Sequence, residues 1–236
     1  GYETFMQHTL DWPEPEVIVR FGQVPTGKWL NAYLDKINPV VRLHIRENGV
    51  WADDSQRTTH FWQLNETAVC QTLLTRLQNH QPDPTWSQTI RATEQATWET
   101  LQTQLRQHWF DGAAIATLLE KLPEEANLLI GNSLPVRHLD QYGRFQAKTL
   151  HIFGNRGASG IDGNISTGLG VAQASQRPTF IVVGDVTALH DLNSLLLASQ
   201  TPNATIIVIN NNGGGIFRRL PISQHEPPFT DRFLTP

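Results

Sequence analysis

In the second half of the chain, short apolar runs alternate with stretches whose apolar positions recur at helical spacing. The runs at residues 127–130, 150–153, 179–183 and 204–209 are rich in β-branched and aliphatic residues and are bounded by polar turns. That is the pattern of strands buried on both faces. Between them, residues 111–122 place Ile115, Leu118, Leu119 and Leu122 on one stripe, and Pro123 ends the helix they predict. A fresh cap is expected at Asp111. A second helix is expected to start after Gly131, Asn132 and Ser133. A third, over residues 164–175, carries Gly168, Gly170, Ala172 and Ala174, small residues suited to close packing. A fourth is expected near residues 189–199. Strands alternating with helices in this way predict a doubly wound parallel sheet.

The first half is less regular. Residues 17–21 (VIVRF) and 40–45 (VVRLHI) are strand candidates, and residues 51–60 (WADDSQRTTH) read as polar and irregular. Asn65 is a capping residue for a helix to about Gln78, with Val69, Leu73, Leu74 and Leu77 on one stripe. The stretch NHQPDP breaks it. Trp86, Ile90, Trp98, Leu101, Leu105 and Trp109 then continue at near-helical spacing, which predicts a long connecting helix. The expected organisation is therefore α/β with two doubly wound parallel-sheet domains. The division falls near His108, giving a middle domain over residues 1–108 and a second domain over residues 109–236. The tail RRLPISQHEPPFTDRFLTP shows no closing strand or helix, and the start GYETFMQHTLDW has no initiator Met. Both ends suggest a piece of a longer protein, with the second domain truncated.

Composition narrows the function classes. The net charge is −4, and Lys and Arg are scattered, so there is no nucleic-acid footprint. No run of about 18 apolar residues is present, which argues against a membrane-spanning helix. Cys70 is the single cysteine and cannot form an internal disulfide, which fits a reducing, cytoplasmic setting.

The candidate chemistry lies at strand ends. In a parallel sheet the carboxyl ends share one edge, where open α/β sheets bind ligands. Asp185 follows the run TFIVV, and Asn210, Asn211, Asn212 and Gly213 follow TIIVI. One carboxylate, side-chain amides and backbone carbonyls therefore converge there, an all-oxygen set that suits Mg²⁺ held against phosphate oxygens. The glycine-rich loops GNS and NRGASGIDG follow the other two strands and can bring backbone N–H groups close to phosphate. Ser133 and Thr187 can add hydroxyl donors. A separate stretch, GQVPTGKW at residues 22–29, nearly matches a P-loop. Trp29 stands where a hydroxyl must meet Mg²⁺, so the metal half of that motif is missing. Lys28 there is either a solvated residue at a strand-to-helix turn or, with nearby amides, an anion site at a helix start. His190 and Asp191 read as near-site or surface residues, and the nine histidines show no metal-ligand spacing.

The spacing from Gly184-Asp185 to Asn210-Asn211 and Gly213 resembles the magnesium–thiamine diphosphate signature, with Val186 at its usual third glycine. Together, GNSLPVR, NRGASGIDG and NNNGGGIF resemble the MenD family, 2-succinyl-5-enolpyruvyl-6-hydroxy-3-cyclohexene-1-carboxylate synthases of menaquinone and phylloquinone biosynthesis. The resemblance implies a thiamine diphosphate-dependent carboligase of three domains. This chain would correspond to the middle domain and most of the diphosphate-binding domain. It implies decarboxylation of 2-oxoglutarate and 1,4-addition of the succinyl unit to isochorismate. By the same resemblance, Asp185, the Asn211 side chain and the Gly213 carbonyl hold Mg²⁺ (or Mn²⁺). Asn132, Ser133, Ile161, Gly184, Asp185, Thr187 and Asn211 contact the cofactor, with Ile161 as the apolar wedge that keeps it bent. Lys28, Ser133, Arg137, Arg156, Ile216, Phe217 and Leu220 meet the substrates. Trp29 departs from the family, where Arg is common. No catalytic residue is expected within the chain, because the activating glutamate of such enzymes belongs to the N-terminal domain and comes from a partner subunit. A homodimer or homotetramer follows, and the isolated piece is expected to be inactive. Two other readings stay open. One is a thiamine diphosphate enzyme acting on a different 2-oxo acid; the other is a non-catalytic nucleotide-binding module built on GQVPTGKW.

Overall fold

The computed structural model describes residues 1–8 and 14–234. The chain divides into two compact units, Tyr2–Glu99 and Thr100–Pro236, the latter together with Gly1.

The first unit holds a three-stranded parallel sheet in the order β1 (Val17–Phe21), β2 (Val41–Ile45), β3 (His60–Trp62). A short helix α1 (Tyr2–Phe5) comes first, and α2 (Lys28–Lys36) links β1 to β2. The polar stretch before β3 is ordered by one buried carboxylate. Asp53 accepts hydrogen bonds from Thr58 N at 2.7 Å and Ser55 Oγ at 2.8 Å, and pairs with Arg20 at 3.8 Å. That polar framework delivers the chain to β3, a strand too short and too weakly patterned to be visible in the sequence. The helix α3 (Glu66–Leu77) is capped as expected, with the Asn65 side chain accepting from Ala68 N at 2.9 Å. The long helix α4 (Thr85–Gln107) then carries the chain onward.

The second unit is a four-stranded parallel sheet with α5 (Asp111–Lys121), β4 (Ala126–Ile130), α6 (Leu134–Tyr142), β5 (Leu150–Phe153), α7 (Asn164–Ser175), β6 (Thr179–Gly184), α8 (Asp185–His190), α9 (Leu195–Ala198) and β7 (Ala204–Ile209). The strand order is β5-β4-β6-β7. Side chains alternate along each strand. Leu128, Ile130 and Val182 pack with Ile115, Leu119, Leu122 and Val136 of α5, α6 and the turn after α5. Leu129, Ile181 and Val183 pack with Ile165 and Leu169 of α7. Helices thus cover both faces, the doubly wound arrangement. The small residues of α7 serve contact: a Cβ at Gly168 would fall 2.5 Å from Ile181 Cγ1. The order reverses between β4 and β6, so the chain leaves these neighbours in opposite directions and opens a crevice beyond their carboxyl ends.

Three expectations change. The first helical residue of α5 is Asp111 itself, and its N-cap is Phe110, so Asp111 does not cap. The helix expected near residues 189–199 is broken into α8, a 3₁₀ turn over Leu192–Ser194, and α9. The break follows from Asp191, whose carboxylate accepts from Ser166 N and Ser166 Oγ, both at 2.8 Å, and so secures the first turn of α7. The tail does fold. Two 3₁₀ turns (Gly215–Arg219 and Pro221–Gln224) lead to α10 (Pro228–Phe233). Phe229 is buried, and the Phe217 and Phe233 rings meet edge to face with centroids 5.4 Å apart. These phenylalanines supply an apolar contact that the polar composition of the tail conceals. Among the described residues, no helix is long and apolar enough to cross a membrane.

Candidate functional site

The crevice beyond β4, β6 and β7 holds a cavity of about 140 Å³. Of the residues the sequence singles out, Ser133, Ile161, Gly184, Asp185, Thr187, Asn211, Ile216 and Phe217 line it, drawn from four separate segments. Asn132, Gly213, Arg137, Arg156 and Leu220 do not line it. Lys28 belongs to the other unit.

Asp185 begins α8 where β6 ends. Its Oδ2 accepts from Asn211 N at 3.0 Å and Gly213 N at 2.8 Å, and its Oδ1 accepts from Val186 N at 2.8 Å. The carboxylate therefore pins the loop after β7 through backbone donors. That loop is a run of left-handed residues: Asn212, Gly213 and Gly214 have φ of 64°, 71° and 59°. Glycine is required at position 214, where a Cβ would collide with the Phe233 carbonyl oxygen.

The Asn211 side chain is the other element of the metal edge. Its Nδ2 donates to Asp111 Oδ2 at 3.0 Å. Its Oδ1 is buried and has no hydrogen-bond partner. A buried carbonyl without a donor is costly, and a cation is one way to satisfy it. The residues thus fit a hard divalent ion: one carboxylate with a lone pair of Oδ1 to spare, and one orphaned amide oxygen. Among the described residues, no three His, Cys, Asp or Glu side chains converge. Any ion held here would rely on amide and phosphate oxygens, as Mg²⁺ does.

The GNS turn leaves β4 with Ser133 at φ 74°, a left-handed conformation that costs a non-glycine residue about 1–3 kcal/mol. The turn is braced by Asn132. Its Nδ2 donates to Asn155 O at 3.1 Å and Gly160 O at 2.6 Å, and its Oδ1 accepts from Arg156 Nη1 at 2.8 Å. Asn132 clasps the loop after β5, and Arg156 closes the same knot. Arg137 donates to Ser133 O at 2.7 Å. Burial, then the neighbouring Arg156 and Arg219 guanidiniums, lower the Arg137 pKa, with Asp140 opposing. Three arginines thus share one region with a modest carboxylate offset, a field that attracts anions.

Sequence reasoning missed three residues here: Asp111, His138 and Arg219. His138 lines the cavity, is 5% exposed, and accepts from Arg219 Nη2 at 3.1 Å through Nε2. A guanidinium only donates, so the proton of the neutral ring sits on Nδ1, which is buried without a partner. Burial, reinforced by Arg219 and opposed by Asp111, pushes the imidazole down to about 4. A lone histidine on a helix carries no spacing signal, and Asp111 lies too far along the chain from Asn211 to be paired with it by pattern.

In the other unit, Lys28 is exposed at the first position of α2 and sits 4.8 Å over the Trp29 ring. The first-turn amides of α2 already hold an anion. Glu3 accepts from Leu30 N at 3.1 Å and Trp29 N at 3.4 Å, and a Cβ at Gly27 would collide with its carboxylate. The P-loop-like stretch therefore encloses a protein carboxylate at the place where a phosphate would rest.

A scan against protein-family models finds no match. Curated relatives do match. The chain is 49% identical over its whole length to a 2-succinyl-5-enolpyruvyl-6-hydroxy-3-cyclohexene-1-carboxylate synthase of Roseiflexus sp. (strain RS-1), covering 41% of that protein. It is 48% identical to the protein of the same name from Roseiflexus castenholzii, again covering 41% of it. Against the one from Geobacillus thermodenitrificans it is 40% identical, with 94% of this chain and 38% of the relative covered. The chain spans about two fifths of the length of the curated relatives it matches. With that similarity running through the whole chain, the chain belongs to the 2-succinyl-5-enolpyruvyl-6-hydroxy-3-cyclohexene-1-carboxylate synthase family.

Proposed function

We propose that this chain forms the diphosphate- and metal-holding part of a thiamine diphosphate-dependent synthase. The enzyme would decarboxylate 2-oxoglutarate and join the remaining succinyl unit to isochorismate. One observation carries the reading: Asp185 and the orphaned Asn211 oxygen flank a cavity that Ile161, Ser133 and Thr187 also line. Thiamine diphosphate, when bound, would supply the nucleophilic carbon and accept the electron pair left behind as CO₂ departs.

The chain's own residues have separable tasks. Asp185, the Asn211 oxygen and the Gly213 carbonyl would hold Mg²⁺ or Mn²⁺, while Gly184 and Thr187 meet the diphosphate. Ile161 would be the apolar wedge against which the cofactor rests. Arg137 and Arg156 would receive substrate carboxylates; an arginine fork suits a carboxylate because two parallel hydrogen bonds form at once. Ser133 offers its hydroxyl, and Ile216, Phe217 and Leu220 keep water from the reacting carbon. The active assembly would be a homodimer or homotetramer in the cytoplasm, since the activating glutamate is expected from a partner subunit. The 236-residue chain alone would then turn over no substrate.

Assay of the full-length enzyme decides the substrates. Product formation from 2-oxoglutarate plus isochorismate, lost in Arg137→Ala, supports the reading. Turnover of pyruvate that is indifferent to Arg137 and Arg156 would point to another thiamine diphosphate enzyme. A nucleotide-binding module is disfavoured by Glu3, which occupies the α2 amides.

A further inference from the structure

The second unit contains a residue whose position bears on the metal edge although it neither lines the cavity nor belongs to any motif. Asp111 is the first residue of α5, a place where a carboxylate is favoured by the helix dipole. Its Oδ2 lies 3.0 Å from Asn211 Nδ2. An ionised carboxylate only accepts, so the NH₂ end of the amide must face it. The flipped amide would set two oxygens against each other at the same distance. The carbonyl end is consequently the end turned away from Asp111, and that Oδ1 is buried without a partner. Gly215 completes the arrangement: a Cβ there would lie 2.8 Å from Asn211 Cγ, Nδ2 and Oδ1, so the amide is packed as well as bonded.

We infer that Asp111 is a positioning residue that selects which end of the Asn211 amide is left for a divalent cation. The inference rests on the functional reading above. An asparagine is an ambiguous ligand, because oxygen and nitrogen occupy nearly equal volumes and only oxygen binds Mg²⁺. With Asp111 in place the choice is made before the ion arrives. Without it, the amide is free to turn its NH₂ donor toward the cation. Residues that orient a ligand in this way are typically worth about 10- to 100-fold in metal affinity.

The test measures binding, not turnover. Mn²⁺ affinity of the full-length enzyme with thiamine diphosphate is followed by electron paramagnetic resonance for wild type, Asp185→Ala, Asp111→Leu, Asp111→Asn and the double variant Asp111→Leu/Asn211→Asp. Wild type should bind and Asp185→Ala should not; absence of saturable binding in wild type overturns the functional reading and this inference with it. Given binding, Asp111→Leu should weaken it by about 10- to 100-fold. Asp111→Asn, which keeps the side chain's shape but accepts either amide orientation, should also lose affinity. The double variant should regain most of it, because a carboxylate at position 211 presents oxygen whichever way it turns. Wild-type affinity in Asp111→Leu, or a double variant no better than Asp111→Leu, overturns the inference while leaving the metal site standing.

Discussion

Acidification from pH 7 to pH 5 should destabilise the second unit through one side chain, His138. The ring is 5% exposed and faces Arg219 and Asp111, and its folded-state pKa is about 4 against a reference of 6.5. A depressed histidine pKa means that the unfolded chain binds the proton more readily than the folded one. Stability therefore rises with pH across the window, is complete above about 6.5, and is lost as pH falls toward 4. The slope inside the window is about 1.4 kcal/mol per pH unit. Between pH 7 and pH 5 the loss is about 2 kcal/mol, and by pH 4 it approaches 3 kcal/mol.

Denaturant titrations of the cofactor-free, full-length protein at several pH values, compared with His138→Gln, isolate this contribution. Glutamine keeps an acceptor for Arg219 and does not titrate. The variant should lose less stability than wild type on acidification, by about 2 kcal/mol at pH 5. Arg219→Ala separates the causes: burial is the largest one, so most of the wild-type slope should survive. Parallel pH profiles for wild type and His138→Gln would refute the reasoning, and so would a His138 titration observed near 6.5 by NMR.

Asp53 gives a second pH window, lower and in the other unit. Burial raises its pKa, but hydrogen bonds from Thr58 and Ser55 and the Arg20 charge outweigh that and hold it at about 2 against 3.8. Its contribution, about 2 kcal/mol, should be present above pH 3.8 and vanish as pH falls through 2; acid titration of Asp53→Asn should lack that transition. Asp185→Ala should abolish Mg²⁺-dependent binding of thiamine diphosphate in calorimetry, and it should also loosen the loop after β7, seen as faster hydrogen exchange at Asn211 and Gly213, whose amides it holds. Gly215→Ala should displace the Asn211 amide, since the new Cβ would sit 2.8 Å from it; weakened metal binding with an unchanged melting temperature is the expected result.

Much of this architecture is legible because the strands of this parallel sheet are continuous apolar runs, even at its edges, where Ile152 and Val208 are exposed. Residues 150–153 and 204–209 were bounded correctly, and the stripe of Ile115, Leu119 and Leu122 marked α5. What stayed hidden has a common physical character. β3 exists because Asp53 organises the polar stretch before it, a long-range effect that no local periodicity reports. The helix after Asp185 breaks because Asp191 bonds to Ser166 on another helix. The tail folds on the strength of three phenylalanines. The motif residues at the edge were visible as loops, but their partners were not. Asp111 reads as a cap and Glu3 belongs to no motif, yet each proves to hold groups distant in sequence.

Those partners give the edge a division of labour that the motifs alone do not convey. Asn132 spends both N–H donors on Asn155 and Gly160 and one carbonyl lone pair on Arg156, so only the second lone pair of Oδ1 remains for a cofactor. Gly160 directly precedes Ile161, which lines the cavity. The bond to the Gly160 carbonyl therefore fixes the peptide that carries the proposed wedge. Asp185 does the same for the loop after β7, and Asp111 for the amide of Asn211. The loops after β4 and β5 are thus tied to each other, and the loop after β7 to the first residues of α8 and α5, by side chain to backbone and side chain to side chain bonds. Such ties hold a binding geometry in advance, which matters most where groups must be placed to within about 0.5 Å. The residues most easily read as ligands are in part the residues that hold the ligand-binding loops in place, so substituting them tests both roles at once. Only a variant acting from behind the site, as at Asp111, separates the two.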